Sequence, residues 1–312
     1  RLAFIQRHIH KGIKMSVKPE EKNTGDISPF SALATSLAAT IGTGNIVGVA
    51  TAVSMGGPGA IFWMWITGIF GIATKYTESL LSVYYRVKNA DGTYSGGPMY
   101  VIERGLHCKW LAVLFAAFTV LASFGIGSSI QANSLTAALN YGFGMSPLYC
   151  SIIVTIGVGA VIIGGIKSIS NVCRALVPFM GFFYIIGCIA LLILCHENLA
   201  SSIGLIIDSA FNPSAAGGAF AGMSIIMTAR YGVARGLFSN ESGLGSAPIV
   251  AASAQTSTPV KQAMISATGT FWDTVVVCAL TGLVIVNTGV WNNGGEGMSM
   301  TKEAFSQIPV VG

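Results

Sequence analysis

The 312-residue chain carries 9% charged and 52% hydrophobic residues, with a formal net charge of +5. Soluble domains hold about 25% charged residues, because their surface has to meet water, so this balance excludes an ordinary soluble fold. The positive charge is sorted by segment rather than gathered in one patch, which excludes a nucleic-acid partner.

Residues 1–26 are polar and basic, and Arg7, Lys11, Lys14 and Lys18 recur at helical spacing, which predicts an amphipathic helix at a membrane surface. No Asp, Glu, Lys or Arg occurs from Ile27 to Thr74, from Trp110 to Ile166, or from Ala175 to Cys195. A helix crosses the hydrocarbon core with about 20 apolar residues, so each of the first two runs holds two crossings. Backbone groups in lipid must pair within their own segment, and the alternation of a membrane barrel is absent, so the crossings are helices. A first span, 27–54, starts at Ser28-Pro29, a helix-start signal. Gly56-Gly57-Pro58 breaks the chain before a second span, 59–85. A glycine-containing polar loop and a short amphipathic piece near 98–106 follow. A third span covers 109–140, a turn 141–147, a fourth span 148–166 and a fifth 172–195. Residues 197–213 read as an amphipathic helix on the outer surface. A sixth span, 216–254, is too long and too glycine-rich for one straight rod, and a seventh covers 262–290.

Together these elements predict an all-α, multi-pass protein of the inner (plasma) membrane. It divides into a basic segment (1–26), five spans (27–195), an external amphipathic segment (196–215) and two further spans (216–312). Placing the N-terminus inside puts 14 of the 17 Lys and Arg residues on the inner side, Lys75 among them, as the positive-inside rule requires. The six cysteines are scattered without a CxxC pair, and His8, His10, His107 and His196 sit in loops or at span ends. Neither set forms a metal site. No P-loop, nucleophile elbow or Cys/His dyad is present, so neither an enzyme nor an ATP-driven pump is expected, and no cofactor.

Two stretches carry chemistry. In the first span, Gly42-Thr43-Gly44-Asn45 interrupts an apolar helix, and each glycine costs about 1 kcal/mol relative to alanine. The glycines serve either close helix packing or a local unwinding whose free backbone groups bind ions and carboxylates. In the sixth span, the stretch running through Phe238, Ser239, Asn240, Glu241, Ser242, Gly243 and Gly245 clusters the same residue types. Interrupted helices at matching places in two halves of a chain point to a transporter with inverted repeats. Asp273 lies 12 residues after Lys261, roughly 18 Å along the seventh span at 1.5 Å per residue and therefore near mid-bilayer. It either contacts a ligand or pairs with Arg230 or Arg235. Glu241 is read as a local ion-pair partner of Arg235. Gln131 suits an amino-acid carboxylate or amine, or a helix–helix hydrogen bond. Trp63 and Trp65 read as aromatic-belt residues.

Gly42-Thr43-Gly44-Asn45-Ile46, the run from Gly56 to Trp65 containing Phe62-Trp63-Met64-Trp65, Gly96-Gly97-Pro98-Met99-Tyr100 and Arg235-Gly236-Leu237-Phe238-Ser239-Asn240-Glu241 resemble the alanine/glycine:cation symporter family. The resemblance extends over essentially the whole chain. The tryptophan motif is its most specific part, and Gly68 departs from the alanine expected there. The resemblance implies sodium-driven uptake of alanine or glycine on a five-plus-five inverted-repeat (LeuT-type) fold, of which this chain holds about seven spans. It places the substrate against the backbone of Thr40, Gly42, Thr43 and Gly44, the side chains of Asn45 and Gln131, and a break near Phe238 and Asn240. It gives the sodium ion the carbonyls of Ala38 and Ile41. The expected partners are a small neutral amino acid, sodium and the lipid bilayer. A same-fold carrier of another solute, one driven by protons, and a channel are the alternatives.

Overall fold

The computed structural model describes residues 4–18, 24–217, 222–295 and 297–308. The basic N-terminal stretch forms α1 (Ile9–Val17), as its charge spacing predicts. The first span is helical in two pieces, α2 (Pro29–Thr40) and α3 (Val49–Gly56), joined through a wide π-type turn, Gly44–Gly48. Ser28 caps α2 by accepting from the Ser31 N–H at 3.1 Å, with Pro29 preset for the first turn. Gly57, in the left-handed region, ends α3 and turns the chain into α4 (Gly59–Tyr84).

The polar loop contains a short hairpin, β1 (Val87–Lys88) paired antiparallel with β2 (Tyr94–Ser95). It leads to α5 (Pro98–Gly105), then to α6 (Lys109–Ala122) and α7 (Ile130–Phe143), which run on through a π turn as one 35-residue helix. The third span therefore ends at Phe143 rather than 140, where Gly144 takes the left-handed conformation that stops a helix. After α8 (Pro147–Ile163), α9 (Gly165–Leu194) starts at a Gly164-Gly165 turn. No inner loop separates the fourth and fifth spans at 167–171, because the paired glycines supply the reversal and the following residues continue the helix.

The segment expected on the outer surface is α10 (Leu199–Phe211), with Ser202, Ile206, Ser209 and Ala210 buried. Trp63 Nε1 donates to the Ala210 carbonyl at 3.1 Å and its ring meets Phe211 edge-on, so Trp63 docks α10 instead of joining an aromatic belt. Trp65 is half-buried against the core. Part of the sixth span, 218–221, lies outside the described residues. The remainder is α11 (Ile225–Asn240), an irregular stretch at 241–246, and α12 (Ala247–Ala252). The seventh span is α13 (Pro259–Thr270), a π-type segment (Phe271–Cys278) and α14 (Ala279–Asn287), before the terminal α15 (Met298–Phe305).

Helix α4 is the hub, flanked by α10, α11, α12 and α13. Gly232 on α11 sits so close to it that a Cβ there would lie 2.8 Å from the Trp63 Cβ. Small residues permit such approach between helices in lipid, where packing supplies the attraction. Val53, Ile61, Met64, Ile206 and Ile285 form the main core around this hub. Among the described residues three helices are long and apolar enough to cross a membrane, Lys109–Phe143, Gly165–Leu194 and Pro259–Asn287, and the bent pair of α2 and α3 brings the number to four when counted as one span. The first two bury only 6% and 22% of their most apolar windows, against 61% for the third, so the 109–194 helices turn apolar faces outward.

Candidate functional site

Helix α2 stops at Thr40, and the axis bends by 48° before the chain is helical again at Gly44. Asn45 braces the break from within: its Oδ1 accepts from the Gly42 N–H at 2.7 Å. The helix end leaves last-turn carbonyls of α2 without helical donors. Gly44 is required by proximity, because a Cβ there would lie 3.0 Å from the Ser239 Cα on α11. The two interrupted helices thus touch at their interruptions.

The second interruption lies slightly later than the sequence suggests. Phe238 and Asn240 are still helical, and the break covers 241–246. Asn240 Oδ1 accepts from the Ser242 N–H at 2.9 Å, an Asx-type bond that competes with further helix. Glu241 takes a left-handed backbone (φ 52°), which is unusual for a residue other than glycine and frequent at functional sites. Its carboxylate accepts from Ser246 Oγ, and no ion pair with Arg235 occurs among the described residues. A separation of six residues does not bring the two side chains together, because Glu241 has already left the helix that carries Arg235.

A third irregularity completes the site. Asp273, fully buried in the π-type segment, receives Asn45 Nδ2 at 2.8 Å, Ser239 Oγ at 3.0 Å and Thr274 Oγ1 at 2.6 Å. Asn45 Nδ2 also reaches the Asp273 carbonyl at 3.1 Å and Cys278 Sγ at 3.2 Å. One carboxylate therefore ties the interruption of α2–α3 to the end of α11. Its hydrogen-bond partners are these groups, and neither Arg230 nor Arg235 is among them. A wide π turn is what gives Asp273 this position, since it rotates the residue out of the regular helical register.

Beside this knot lies a cavity of about 200 Å³, lined by Ala38, Ala39, Thr40, Gly44, Gly127, Gln131, Phe238, Glu241 and Leu244. Its volume is below the roughly 300–1,000 Å³ of pockets for drug-sized ligands, which suits a solute of a few heavy atoms. Of the residues singled out in the sequence, Ala38, Thr40, Gly44, Gln131, Phe238 and Glu241 line it, brought together from α2, α7 and α11. Gly42 faces the same amide: a Cβ there would lie 3.5 Å from Gln131 Oε1. Thr43, Asn45, Asn240 and Asp273 stand outside the lining, with Asn45 and Asn240 buried. Ile41 lines a separate apolar hollow of about 290 Å³ between α2 and α9.

Two participants escape a reading of the sequence, and Ser239 is found there only as part of the interrupted stretch. Cys278 binds the knot without belonging to a recognisable spacing. Lys75, counted with the inner-side charges, is 2% exposed in the body of α4. Its position inside a hydrophobic segment is the signal that could have found it.

A family model described as the sodium:alanine symporter family matches residues 1–311. The chain belongs to the sodium:alanine symporter family. An uncharacterised transporter of Haemophilus influenzae is 53% identical over 98% of this chain and 68% of its own length. The sodium/alanine symporter AgcS of Methanococcus maripaludis is 47% identical over all of this chain and 70% of its own. The probable sodium/glutamine symporter GlnT of Bacillus subtilis is 38% identical over 98% of this chain and 64% of its own. The chain thus spans about two thirds of the length of these sodium:alanine symporter family relatives.

Proposed function

We propose that the chain carries the substrate cavity of a sodium-coupled symporter that takes up a small neutral amino acid, alanine or glycine, across the plasma membrane. The observation that carries this reading is the 200 Å³ cavity at the meeting point of two interrupted helices. Family membership and the name of the methanococcal relative support the solute and the coupling ion. The relative named for glutamine leaves room for a larger neutral amino acid.

In this reading 27–195 and 216–312 belong to two inverted repeats, with 1–26 and 196–215 outside them. Seven segments cross: α2–α3, α4, α6–α7, α8, α9, α11–α12 and α13–α14. The N-terminus lies inside. The amino-acid carboxylate binds backbone N–H groups of Thr43 and Gly44 beside Gly42, whose own N–H stays with Asn45, where helix ends favour anions. Thr40, Gln131 and Phe238 orient and enclose the molecule, and larger side chains are refused by overlap. Asn45 and Asn240 hold the two breaks in shape, and Asp273 locks Asn45. Carbonyls of Ala38 and Ile41 supply part of the sodium site. Alternating access follows when sodium and substrate together stabilise one arrangement of the two broken helices.

Uptake of labelled alanine by the intact transporter in proteoliposomes tests the reading. It should require an inward sodium gradient, and excess glycine should compete. Uptake indifferent to sodium but driven by a proton gradient would move the reading to proton coupling. Saturation by glutamine and not by alanine would move it to another solute, and currents without saturable exchange would make it a channel.

A further inference from the structure

Lys75 lies on the buried face of α4 along which the residues after α11 run. Ser242 Oγ would be 3.0 Å from a Cβ at Gly71, one turn before Lys75, and Ser82 Oγ donates to the Pro248 carbonyl at 2.7 Å, two turns after it. Lys75 Nζ is sealed from solvent and has no hydrogen-bond partner among the described residues. An ammonium buried in this way is strongly unfavourable unless another arrangement of the protein supplies a partner.

The carboxylates whose charges act on Lys75 are Glu78 on its own helix, Glu241 at the second break and Asp273 in the π-type segment. Asp273 is engaged by Asn45, Ser239 and Thr274. Glu78 lies near the backbone of Gly243 and Gly245, and its Oε2 has no hydrogen-bond partner among the described residues. It also rides on the same helix as Lys75, so its relation to the lysine does not alter when helices move. Glu241 is likewise engaged, by Ser246 Oγ, but it belongs to a different segment from Lys75. It sits on the irregular stretch between α11 and α12, and it lines the cavity.

We propose that Lys75 is a tethered cation that pairs with Glu241 when the cavity is empty. A symporter has to reorient unloaded once in every cycle, and the half-buried Glu241 carboxylate, held only by Ser246 Oγ, is then free of competing cations. Swinging the ammonium onto Glu241 gives the buried lysine a partner in that step. When the amino acid arrives with sodium, its ammonium group competes for Glu241 and Lys75 is released. Lys75 is thus a positioning residue of the return step, an inference that rests on the transport reading.

Two modes of the intact transporter in proteoliposomes separate this role from a structural one. Net sodium-driven alanine uptake includes the empty return. Exchange of external labelled for internal unlabelled alanine, with sodium on both sides, cycles only the loaded cavity. Lys75→Gln should lower net uptake by at least about tenfold and leave exchange within about twofold of wild type. Lys75→Arg, which keeps the charge, should recover part of the net uptake. Equal loss of both modes in Lys75→Gln, or undiminished net uptake, overturns the proposal. So does failure of both Lys75→Gln and Lys75→Arg to bind alanine in the purified state, since the lysine is then simply part of the fold. Wild-type protein without sodium-dependent uptake would count against the transport reading instead.

Discussion

Asp273 decides the geometry of the site without lining it. Its two oxygens accept from Asn45, Ser239 and Thr274, all buried, so a change of acceptor disturbs three buried donors, of which Thr274 Oγ1 has no other acceptor among the described residues. Asp273→Asn places an NH2 group against these donors. Leaving one of them unpaired costs roughly 1–3 kcal/mol, and a lower melting temperature in detergent together with loss of most alanine uptake is the expected outcome. Asn45→Ala removes the brace on Gly42 and the bond to Asp273 at once. Uptake should vanish while the protein still reaches the membrane, and wild-type uptake in this variant would remove Asn45 from the site. Gly44→Val tests the contact between the two breaks. Its side chain would be driven into Ser239 on α11, and overpacking of this kind costs roughly 1–3 kcal/mol. Weakened alanine binding with the helices pushed apart is expected, measured as a raised Kd in an equilibrium binding assay.

At the scale of elements, Arg86 just beyond α4 joins three segments. Its guanidinium donates to the carbonyls of Ala252 at 3.0 Å and Ala254 at 2.7 Å and to Thr24, and it lies over the Tyr94 ring with 4.6 Å to the centroid. The hairpin, the approach to α2 and the end of α12 are held by this one side chain. Hydrogen bonds to charged groups contribute about 1.5–3 kcal/mol, so Arg86→Gln should speed amide hydrogen exchange in both the hairpin and residues 252–254. Unchanged exchange there would show the latch to be unimportant. Much of the element pattern was legible in the sequence. The uncharged runs give the helices their places, and Gly42 with Gly44 gives the first break, since glycine pairs in an apolar run have few other local consequences. The second break was read three residues early, because the Asn240 side chain ends the helix from inside it. The partnership of Asn45 with Asp273 joins residues 228 apart in the chain, and no local pattern encodes it. Lys75 was misread because counting charges by segment treats every lysine as solvated.

At the scale of the whole molecule, the 109–194 helices form an apolar flank while α4, α11 and α13 form the interior. The Lys109–Phe143 helix would extend about 52 Å at 1.5 Å per residue, far beyond a hydrocarbon core of about 30 Å. Trp110 is 70% exposed at one end and Tyr141 66% exposed at the other. Their separation, about 46 Å along the axis, matches a bilayer measured from headgroup to headgroup, about 40–45 Å. We expect the two rings to mark opposite water surfaces where this helix crosses the bilayer. Gln131 and Gly127 ride on the same rod and form one wall of the cavity. A thinner bilayer would make the rod lean and carry that wall with it. Alanine uptake should accordingly peak in lipids of one acyl-chain length and fall in shorter ones, and Trp110→Ala should flatten that dependence, so that the thickness of the membrane itself sets how well the cavity closes.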